Sequence, residues 1–246
     1  MKEIRHELTL NEYFKQAAAP RRPDAPRPAA PFLTISREEG AGGHALADAL
    51  LARFAQERDP LFAGWKVFDK EICERVAKDP GLKVQLEDLL DEQFHSGMEE
   101  FLRTLVARLS PQLKVDHHMF HTVRGICGVG RAIVIGRAGA MISRDLPFGV
   151  HVRLVASRKS RIARVRRDYG LTEAAASKRL DQRDDERARL VETHFKRDIA
   201  DPLLYDCVWN ADSVSYETMA GALADLIRRR VARAPLVAAG AESRLL

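Results

Sequence analysis

The stretch TISREEGAGGHALADALL, residues Thr34 to Leu51, contains a short apolar run, a cluster of glycines and the start of a helical apolar pattern. The run is predicted to be a strand ending at Ser36, and the helix is predicted to start near Gly43. Backbone N–H groups in a glycine-rich turn can surround phosphate oxygens, and a helix N-terminus adds partial positive charge. The layout is therefore that of a phosphate-binding loop or, alternatively, of a tight turn that binds nothing.

The lysine of the usual phosphate loop is missing from this stretch. That loop reads G-x-x-x-x-G-K-[ST]. If Gly42 takes the place of the second glycine, Arg37 stands at the first glycine, Gly43 at the lysine and His44 at the hydroxyl residue. Because the other fixed positions differ, the strict pattern taken alone favours the tight turn.

Strand-like and helix-like patterns alternate from Phe32 onward. We predict strands in FLTIS, WKVFD, RAIVIG, FGVHVRLVA and YDCVWN. Such alternation favours an α/β domain with a mostly parallel sheet between two layers of helices. The expected organisation is an N-terminal extension with a proline-rich linker over residues 1–31, the domain over 32–232, and a frayed C-terminal tail over 233–246. The last helix is expected over about residues 216–231.

Composition limits the function classes. No apolar run approaches the ~20 residues of a membrane span, so no membrane contact is expected. The three cysteines form no C-x-x-C pair, which disfavours a disulfide framework or zinc ribbon, and we expect a cytoplasmic protein. The segment from Arg158 to Arg197 contains 13 Lys/Arg against 7 Asp/Glu. This excess suggests an anionic partner, although a solvated helix face with ion pairs is equally consistent with it.

Five segments in one order resemble the cytidylate kinase-like family: ISREEGAGGHALADALL, VFDKEICERVA, AIVIGRAGAMI, VHVRLVASRKSRIARV and YDCVWNADSVSYET. The resemblance covers roughly residues 32–232. In that family the loop typically reads S-R-E/Q-x-G-S-G-G, with glycine in place of the lysine, and the matching residues here are Ser36, Arg37, Glu38, Gly40, Gly42 and Gly43. The resemblance implies a P-loop NTPase-like fold, an arginine-rich helical lid and phosphate transfer from ATP.

The resemblance assigns the loop to the donor phosphates, and the expected contacts are Ser36, Gly40, Ala41, Gly42, Gly43 and His44. Phosphoryl transfer depends on positioning and charge stabilisation, so loss of the lysine without a replacement would be severe. Arg37 is the candidate replacement. The alternative for Arg37 is a salt bridge to Glu38 or Glu39.

Two further segments are expected to bind the acceptor. FDKEICER resembles the acceptor stretch D-S-G-x-x-Y-R, in which Asp69 and Arg75 match the aspartate and arginine. The alternative for Arg75 is a helix-surface pair with Glu71. Arg137 directly follows the buried run AIVIG, at the sheet edge where α/β proteins bind ligands. It matches the arginine of the family's G-R-D motif, in which Ala138 here replaces the aspartate.

The lid is expected over about residues 158–200 as two helices, the first closed by Gly170 and the second capped by Thr172. RLDQRDDERAR resembles the return segment of the family's lid. The residues expected to stabilise the transferring phosphate or to contact the acceptor are Arg164, Arg183, Arg187 and Asp184. The alternative is a solvated charged helix.

ATP and Mg²⁺ are the implied cofactors. Asn210, in YDCVWNAD, is placed near the adenine by position alone. Magnesium in such reactions is held largely by phosphates and water. Since no carboxylate stands out as a ligand, we name no metal ligand.

The expected reaction is transfer of the γ-phosphoryl group of ATP to CMP, dCMP or a related nucleotide, so the expected partners are nucleotide substrates. The alternative is a catalytically inactive nucleotide-binding regulatory module. Residues 1–14 would suit such a module as a docking segment for a protein partner. Nucleic-acid binding through the basic helices is a third and weaker hypothesis, because only Tyr169 and Phe195 are aromatic there.

Overall fold

The structure is a computed structural model. It describes residues 30–90 and 114–242, together with residues 10, 12–15, 17, 18, 97 and 100. For residues 114–117 and 234–242 it describes the backbone only. The predicted linker and the predicted helical stretch beyond residue 90 lie mostly outside the described residues.

In the described part of the chain, the strands form one parallel sheet in the order β2-β3-β1-β4-β5. The strands are β1 (Phe32–Arg37), β2 (Lys66–Phe68), β3 (Ala132–Ile135), β4 (Gly149–Val155) and β5 (Cys207–Asn210). β1 occupies the centre and pairs with both β3 and β4. The predicted α/β class and the parallel sheet are confirmed.

Helices connect the strands. Before β3 the chain forms α1 (Gly43–Ala55), α2 (Lys70–Lys78), α3 (Pro80–Glu87) and α4 (Lys114–Val129). After β3 it forms α5 (Gly139–Ile142), α6 (Arg158–Tyr169), α7 (Glu173–Phe195) and α8 (Tyr216–Glu242). The expected end of the last helix near residue 231 is too early, since α8 continues to Glu242.

The two faces of the sheet bury separate apolar clusters. Leu33 and Ile35 of β1 face α1 and α8, where Leu50 and Leu223 are fully buried. The alternate positions along the strands face α2 and α4. Phe32 of β1, for example, belongs to the same apolar cluster as Val76 of α2 and Phe120 of α4. This alternation follows from the period of two in a strand, and it produces three layers.

The N-terminal segment is part of the second cluster. Leu10, Tyr13 and Phe14 are buried, and the Tyr13 hydroxyl donates a 2.7 Å hydrogen bond to the Gly130 carbonyl. The Tyr13 ring lies edge-on to Phe68 at 5.1 Å between centroids. These side chains therefore pack against the core of the same chain, and a protein partner of residues 1–14 would have to displace them from it.

The carboxyl ends of the parallel strands lie at one edge of the sheet. Beyond them come the turn from β1 to α1, the turn from β3 to α5, and the helix pair α6–α7 that follows β4. Ligands bind at this edge in open α/β sheets. Within the described residues, no helix has the length and apolar character to cross a membrane.

Candidate functional site

The loop between β1 and α1 has a backbone that requires glycine. Gly40 and Gly42 have φ angles of +77° and +93°, in the left-handed region. A Cβ on Gly42 would lie 1.9 Å from the Tyr216 hydroxyl oxygen, and one on Gly40 would lie 2.7 Å from the Arg161 carbonyl oxygen. The loop is thus pressed between α8 and α6, and no larger residue fits at either position without movement.

The N-terminus of α1 has no side-chain cap. Its N-cap residue is Gly42, and its first turn contains no acidic residue. Uncapped N–H groups at a helix start favour an anion. The carbonyl of the buried Ala41 is not directed at such an anion, because it accepts a 3.2 Å hydrogen bond from the Tyr216 hydroxyl.

A cavity of about 510 Å³ lies over this loop. It is lined by the loop, by the turn from β3 to α5, and by the facing sides of α6 and α7. The predicted site residues that line it are Ser36, Arg37, Gly40, Gly42, Gly43, His44, Arg137, Arg164, Arg183 and Arg187. The predicted site residues outside its lining are Ala41, Asp69, Arg75, Asp184 and Asn210.

Arg37 is a cation without a carboxylate partner among the described residues. Its Nη1 lies against Gly136, where an added Cβ would be only 2.1 Å away. Burial first, and then the charge of Arg187, lower the pKa of Arg37 to about 10. The charges of Glu39 and Asp69 act in the opposite direction and offset this lowering of the pKa only in part. The alternative expectation, a salt bridge to Glu38 or Glu39, is not what the structure shows.

Arg137 lies on a strained turn beside Arg37. The φ angles of Gly136, Arg137 and Ala138 are +78°, +55° and +52°. Non-glycine residues adopt this conformation at a cost, and such strain clusters at functional sites. The Gly136 N–H donates to Ile35 O at 2.9 Å, which fixes the turn to β1. No described residue forms an ion pair with Arg137, so it adds a second uncompensated guanidinium to the cavity.

The two loop acids bind the lid helices instead. Glu39 is buried, and its carboxylate accepts from Arg179 Nε at 3.0 Å and from Arg187 Nη2. Burial alone would raise the pKa of Glu39, but its bonds to Arg187 and Arg179 hold that pKa below the usual value. Glu38 accepts from the Ala156 N–H at 3.1 Å and lies 3.4 Å from Arg161 Nε.

Asp184 is the second connection between loop and lid. Its Oδ1 accepts from the Glu39 N–H at 2.7 Å and from Arg187 Nη1 at 3.0 Å, and its Oδ2 accepts from Arg161 Nη1 at 2.5 Å. In this state Asp184 holds α7 against the loop rather than facing the cavity.

The three predicted lid arginines differ in their surroundings. Arg164 donates to the carbonyls of Gly40 at 3.2 Å and Ala211 at 2.9 Å, so it braces the loop. Arg187 uses both terminal nitrogens on loop and lid carboxylates. Arg183 is partly exposed and pairs with Glu186 at 2.8 Å.

Ser36 lies at the cavity floor in a cluster that the sequence did not indicate. Its Oγ accepts a 3.1 Å hydrogen bond from Arg153 Nη1, and the Tyr205 hydroxyl lies 3.2 Å from it. Arg153 is buried on β4, directly opposite Ser36 in the strand register. The feature of the sequence that could have indicated this cluster is Arg153, a basic residue within the predicted strand FGVHVRLVA.

The predicted acceptor segment FDKEICER, which contains Asp69 and Arg75, lies at the margin of the cavity. Asp69 caps α2 by accepting the Ile72 N–H at 3.0 Å, and it lies 3.5 Å from His44 Nε2. That histidine contact is the main cause that holds the pKa of Asp69 below its usual value. Lys70, which the sequence reading missed, lines the cavity, whereas the half-buried Arg75 does not.

Asn210 lies at the exposed end of β5 and bonds locally. Its Oδ1 accepts the Asp212 N–H at 3.0 Å. Beside it, the Ala211 carbonyl accepts from Arg164, which connects this turn to the loop.

The carboxylates of the cavity do not form a magnesium site by themselves. The described acids that line it are Glu38, Glu39, Asp168 and Glu186, and each has an arginine partner. The described residues include no cluster of three or more His, Cys, Asp or Glu side chains suited to a metal. The residues fit a magnesium ion held by nucleotide phosphates and water, as the chemistry of Mg²⁺ favours.

The loop, the strained turn and the arginine-rich helix pair can be compared with known proteins. The model of the cytidylate kinase-like family matches residues 32–213. The chain belongs to the cytidylate kinase-like family. The match includes the glycine loop, Arg137 and the whole of α6 and α7, so the cytidylate kinase-like assignment rests on the segments that form the cavity.

One solved structure shows the same fold as this chain. The chain superposes on the crystal structure of an uncharacterized protein from Eubacterium ventriosum with a TM-score of 0.63 and 19% identity, over 82% of this chain and 99% of that one. A shikimate kinase from Bacteroides thetaiotaomicron gives a TM-score of 0.44 and 12% identity, over 80% and 98%. The first likeness supports the fold alone. No curated protein matches the chain.

Proposed function

We propose that the chain is a nucleotide phosphotransferase that transfers the γ-phosphoryl group of ATP to CMP, dCMP or a related nucleotide. One observation supports this most directly. Arg37 and Arg137 lie in the cavity beside a glycine loop, without a carboxylate partner among the described residues. Two neighbouring uncompensated guanidiniums favour an anionic ligand, and arginine binds phosphate oxygens in bidentate fashion.

The residues divide between donor and acceptor. The amides of Gly40, Gly42 and Gly43 bind the donor phosphates at the start of α1. Arg37 supplies the charge that the missing lysine would provide, and Arg137 binds the phosphate of the acceptor. A magnesium ion bound with the nucleotide would neutralise part of the charge on the transferred group.

The reaction needs no covalent enzyme intermediate. An oxygen of the acceptor phosphate forms a bond to the γ-phosphorus as the bond from that phosphorus to the ADP oxygen breaks, and ADP leaves. The protein orients the two nucleotides and stabilises the transferring group. The helices α6 and α7 exclude water from that group, which limits hydrolysis. We also propose that the protein acts in the cytoplasm.

The regulatory module remains the second candidate, because one observation favours it. Glu39 and Asp184 already neutralise Arg187, whose two terminal nitrogens both donate to carboxylates. A chain with fewer available lid charges could bind nucleotide without transferring phosphate. The nucleic-acid hypothesis gains no support, since the exposed Arg158 pairs with Asp181 and the exposed Arg166 with Glu173.

A phosphotransfer panel tests the proposal. Purified protein is incubated with Mg-ATP and each of CMP, dCMP, UMP, AMP and dTMP, and ADP formation is measured. We expect turnover with at least one acceptor, and a loss of about tenfold or more in Arg137→Ala, since a charged hydrogen bond to the acceptor is removed. Arg53→Ala, on the opposite end of α1, is the matched control. ATP binding without turnover on any acceptor would favour the regulatory module.

A further inference from the structure

Arg179, on the second turn of α7, lines the cavity but was not among the predicted lid residues. Its Nε donates to Glu39 Oε1 at 3.0 Å. Its guanidinium carbon lies 4.0 Å from the centroid of the Tyr169 ring. The guanidinium is therefore fixed along one edge by a carboxylate and across one face by an aromatic ring.

The two terminal nitrogens of Arg179 differ from those of Arg164 and Arg187. Arg187 donates both of its own to carboxylates, and Arg164 donates both to carbonyls, with Asp212 Oδ1 also 3.4 Å from its Nη2. By contrast, no acceptor for Nη1 or Nη2 of Arg179 occurs within the described ranges. The free edge of the guanidinium is the edge that binds two phosphate oxygens at once.

The backbone of Arg179 is also held in place. Val165 of α6 packs against Ala176 and Leu180 of α7 in a small buried cluster. Tyr169 is the last residue of α6, and the chain turns back at Gly170 with a φ of +64°. The ring of Tyr169, more than half exposed, therefore reaches Arg179 across the turn between the two helices.

We infer that Arg179 is a phosphate-binding residue of the nucleotide site, and that Glu39 and Tyr169 are the residues that orient it. A guanidinium that is already fixed loses little conformational freedom when it binds, so more of its interaction energy appears as affinity. Glu39 holds Nε and leaves both terminal nitrogens for the ligand. The inference rests on the proposed function, because it takes the ligand of the cavity to be a nucleotide phosphate chain.

The test measures affinity by calorimetry for two ligands, Mg-ATP and inorganic tripolyphosphate, independently of turnover. Arg179→Ala is expected to raise both dissociation constants by about tenfold or more, the order of a lost charged hydrogen bond. Arg179→Lys keeps the charge but not the planar fork, so it is expected to restore only part of the affinity. Arg166→Ala is the matched control, since Arg166 is an exposed arginine on α6 that does not line the cavity.

Charge-conserving substitutions at Glu39 and at Tyr169 test the orienting residues. Glu39→Asp keeps the negative charge but shortens the side chain. A loss of affinity of about threefold to tenfold would therefore show that Glu39 acts by orienting Arg179 and not by its charge. Tyr169→Leu is expected to lower the affinity for both ligands by a similar factor. Tyr169→Phe, which keeps the ring, is expected to bind them as the parent does. Thermal unfolding of every variant identifies those that have lost the fold, and these are excluded from the comparison.

The outcomes separate the inference from the proposed function. If the parent binds both ligands and Arg179→Ala binds them as Arg166→Ala does, the inference is wrong and the nucleotide site stands. If Arg179→Ala weakens ATP but not tripolyphosphate, Arg179 contacts the nucleoside and the inference is also wrong. A parent protein that binds neither ligand would overturn both.

Discussion

Position 42 accommodates only glycine, because of its backbone conformation and because of the neighbouring Tyr216. Its φ is +93°, and an added Cβ would meet the Tyr216 hydroxyl oxygen at 1.9 Å. We expect Gly42→Ala to lower the free energy of unfolding by about 1–3 kcal/mol, from backbone strain and overpacking together. Gly221→Ala on α8 is the control, because its Cβ would meet nothing within 4 Å. There the change should be neutral or stabilising by up to about 1 kcal/mol.

Urea unfolding of both variants measures the difference. A Gly42→Ala protein as stable as the parent would show that the loop relaxes freely and is not held against α8. That result would also weaken the case for a preformed anion site, since such a site depends on fixed N–H groups.

His151 gives the fold a dependence on pH. Burial lowers the pKa of His151 from 6.5 to about 4, and its Nδ1 lies 2.8 Å from the Thr34 hydroxyl. The folded chain thus keeps this histidine neutral down to about pH 4, whereas the unfolded chain protonates it near pH 6.5. Between these values the unfolded state binds more protons, so stability is complete above pH 6.5 and falls as the pH decreases.

This titration should make the protein about 2 kcal/mol less stable at pH 5 than at pH 8. Urea titrations at the two pH values measure it. His151→Asn removes the titrating group and should reduce the difference, although its own stability is lower. Carboxylates with lowered pKa, such as Asp145 paired with Arg124, act at lower pH and do not disturb the comparison. An unchanged difference in His151→Asn would contradict the assignment.

At the scale of elements, the loop and the lid are joined by partly buried ion pairs. Asp184 accepts from Arg161, Arg187 and the Glu39 N–H. Its neighbour Asp185 is exposed and lies 3.6 Å from Arg189. We expect Asp184→Asn to destabilise the protein by about 1–3 kcal/mol, because it leaves the buried Arg161 short of a counter-charge.

Asp185→Asn is the matched control, with an expected change of less than about 0.5 kcal/mol. Hydrogen exchange of α7 adds a local readout, since exchange there should accelerate only in Asp184→Asn. Equal behaviour of the two variants would show that α7 does not depend on this connection.

Most of the elements could be predicted from the sequence because each of these is encoded locally. The run AIVIG predicted β3, the glycine at 170 predicted the end of α6, and Thr172 predicted the cap of α7, where its hydroxyl accepts the Ala175 N–H. The length of α8 was underestimated because the last residues have no strong apolar period.

The pairing of charges could not be read from the sequence. Glu39 and its partners Arg179 and Arg187 are separated by 140 and 148 residues. The sequence offered Arg37 as the nearest partner for Glu39, but the fold places the lid arginines closer. The position of Arg179 could not be predicted either, because its stack on Tyr169 exists only after the two helices turn back on each other.

At the scale of the whole molecule, the N-terminal segment contributes to the core. Phe14 is buried among residues of the α2–α4 cluster, and the adjacent Lys15 is exposed. We expect Phe14→Ala to cost about 3 kcal/mol in the free energy of unfolding, as for a large side chain removed from a core. Lys15→Ala should change it by less than about 0.5 kcal/mol.

Thermal and urea unfolding distinguish the two variants. If Phe14→Ala unfolds with the parent, the segment does not dock in solution, and residues 1–14 would be available to a protein partner. A large loss would mean that a partner competes with the chain's own core.

In the proposed function, a loop without a lysine binds phosphate through its glycine amides. The most direct measurement is a ¹⁵N–¹H spectrum of protein labelled on its 15 glycines, titrated with Mg-ATP. We expect saturable shifts at Gly40, Gly42 and Gly43, with little change at Gly221, which does not line the cavity. Loop signals that stay unchanged at saturating Mg-ATP would contradict it, and the glycine cluster would then be a tight turn.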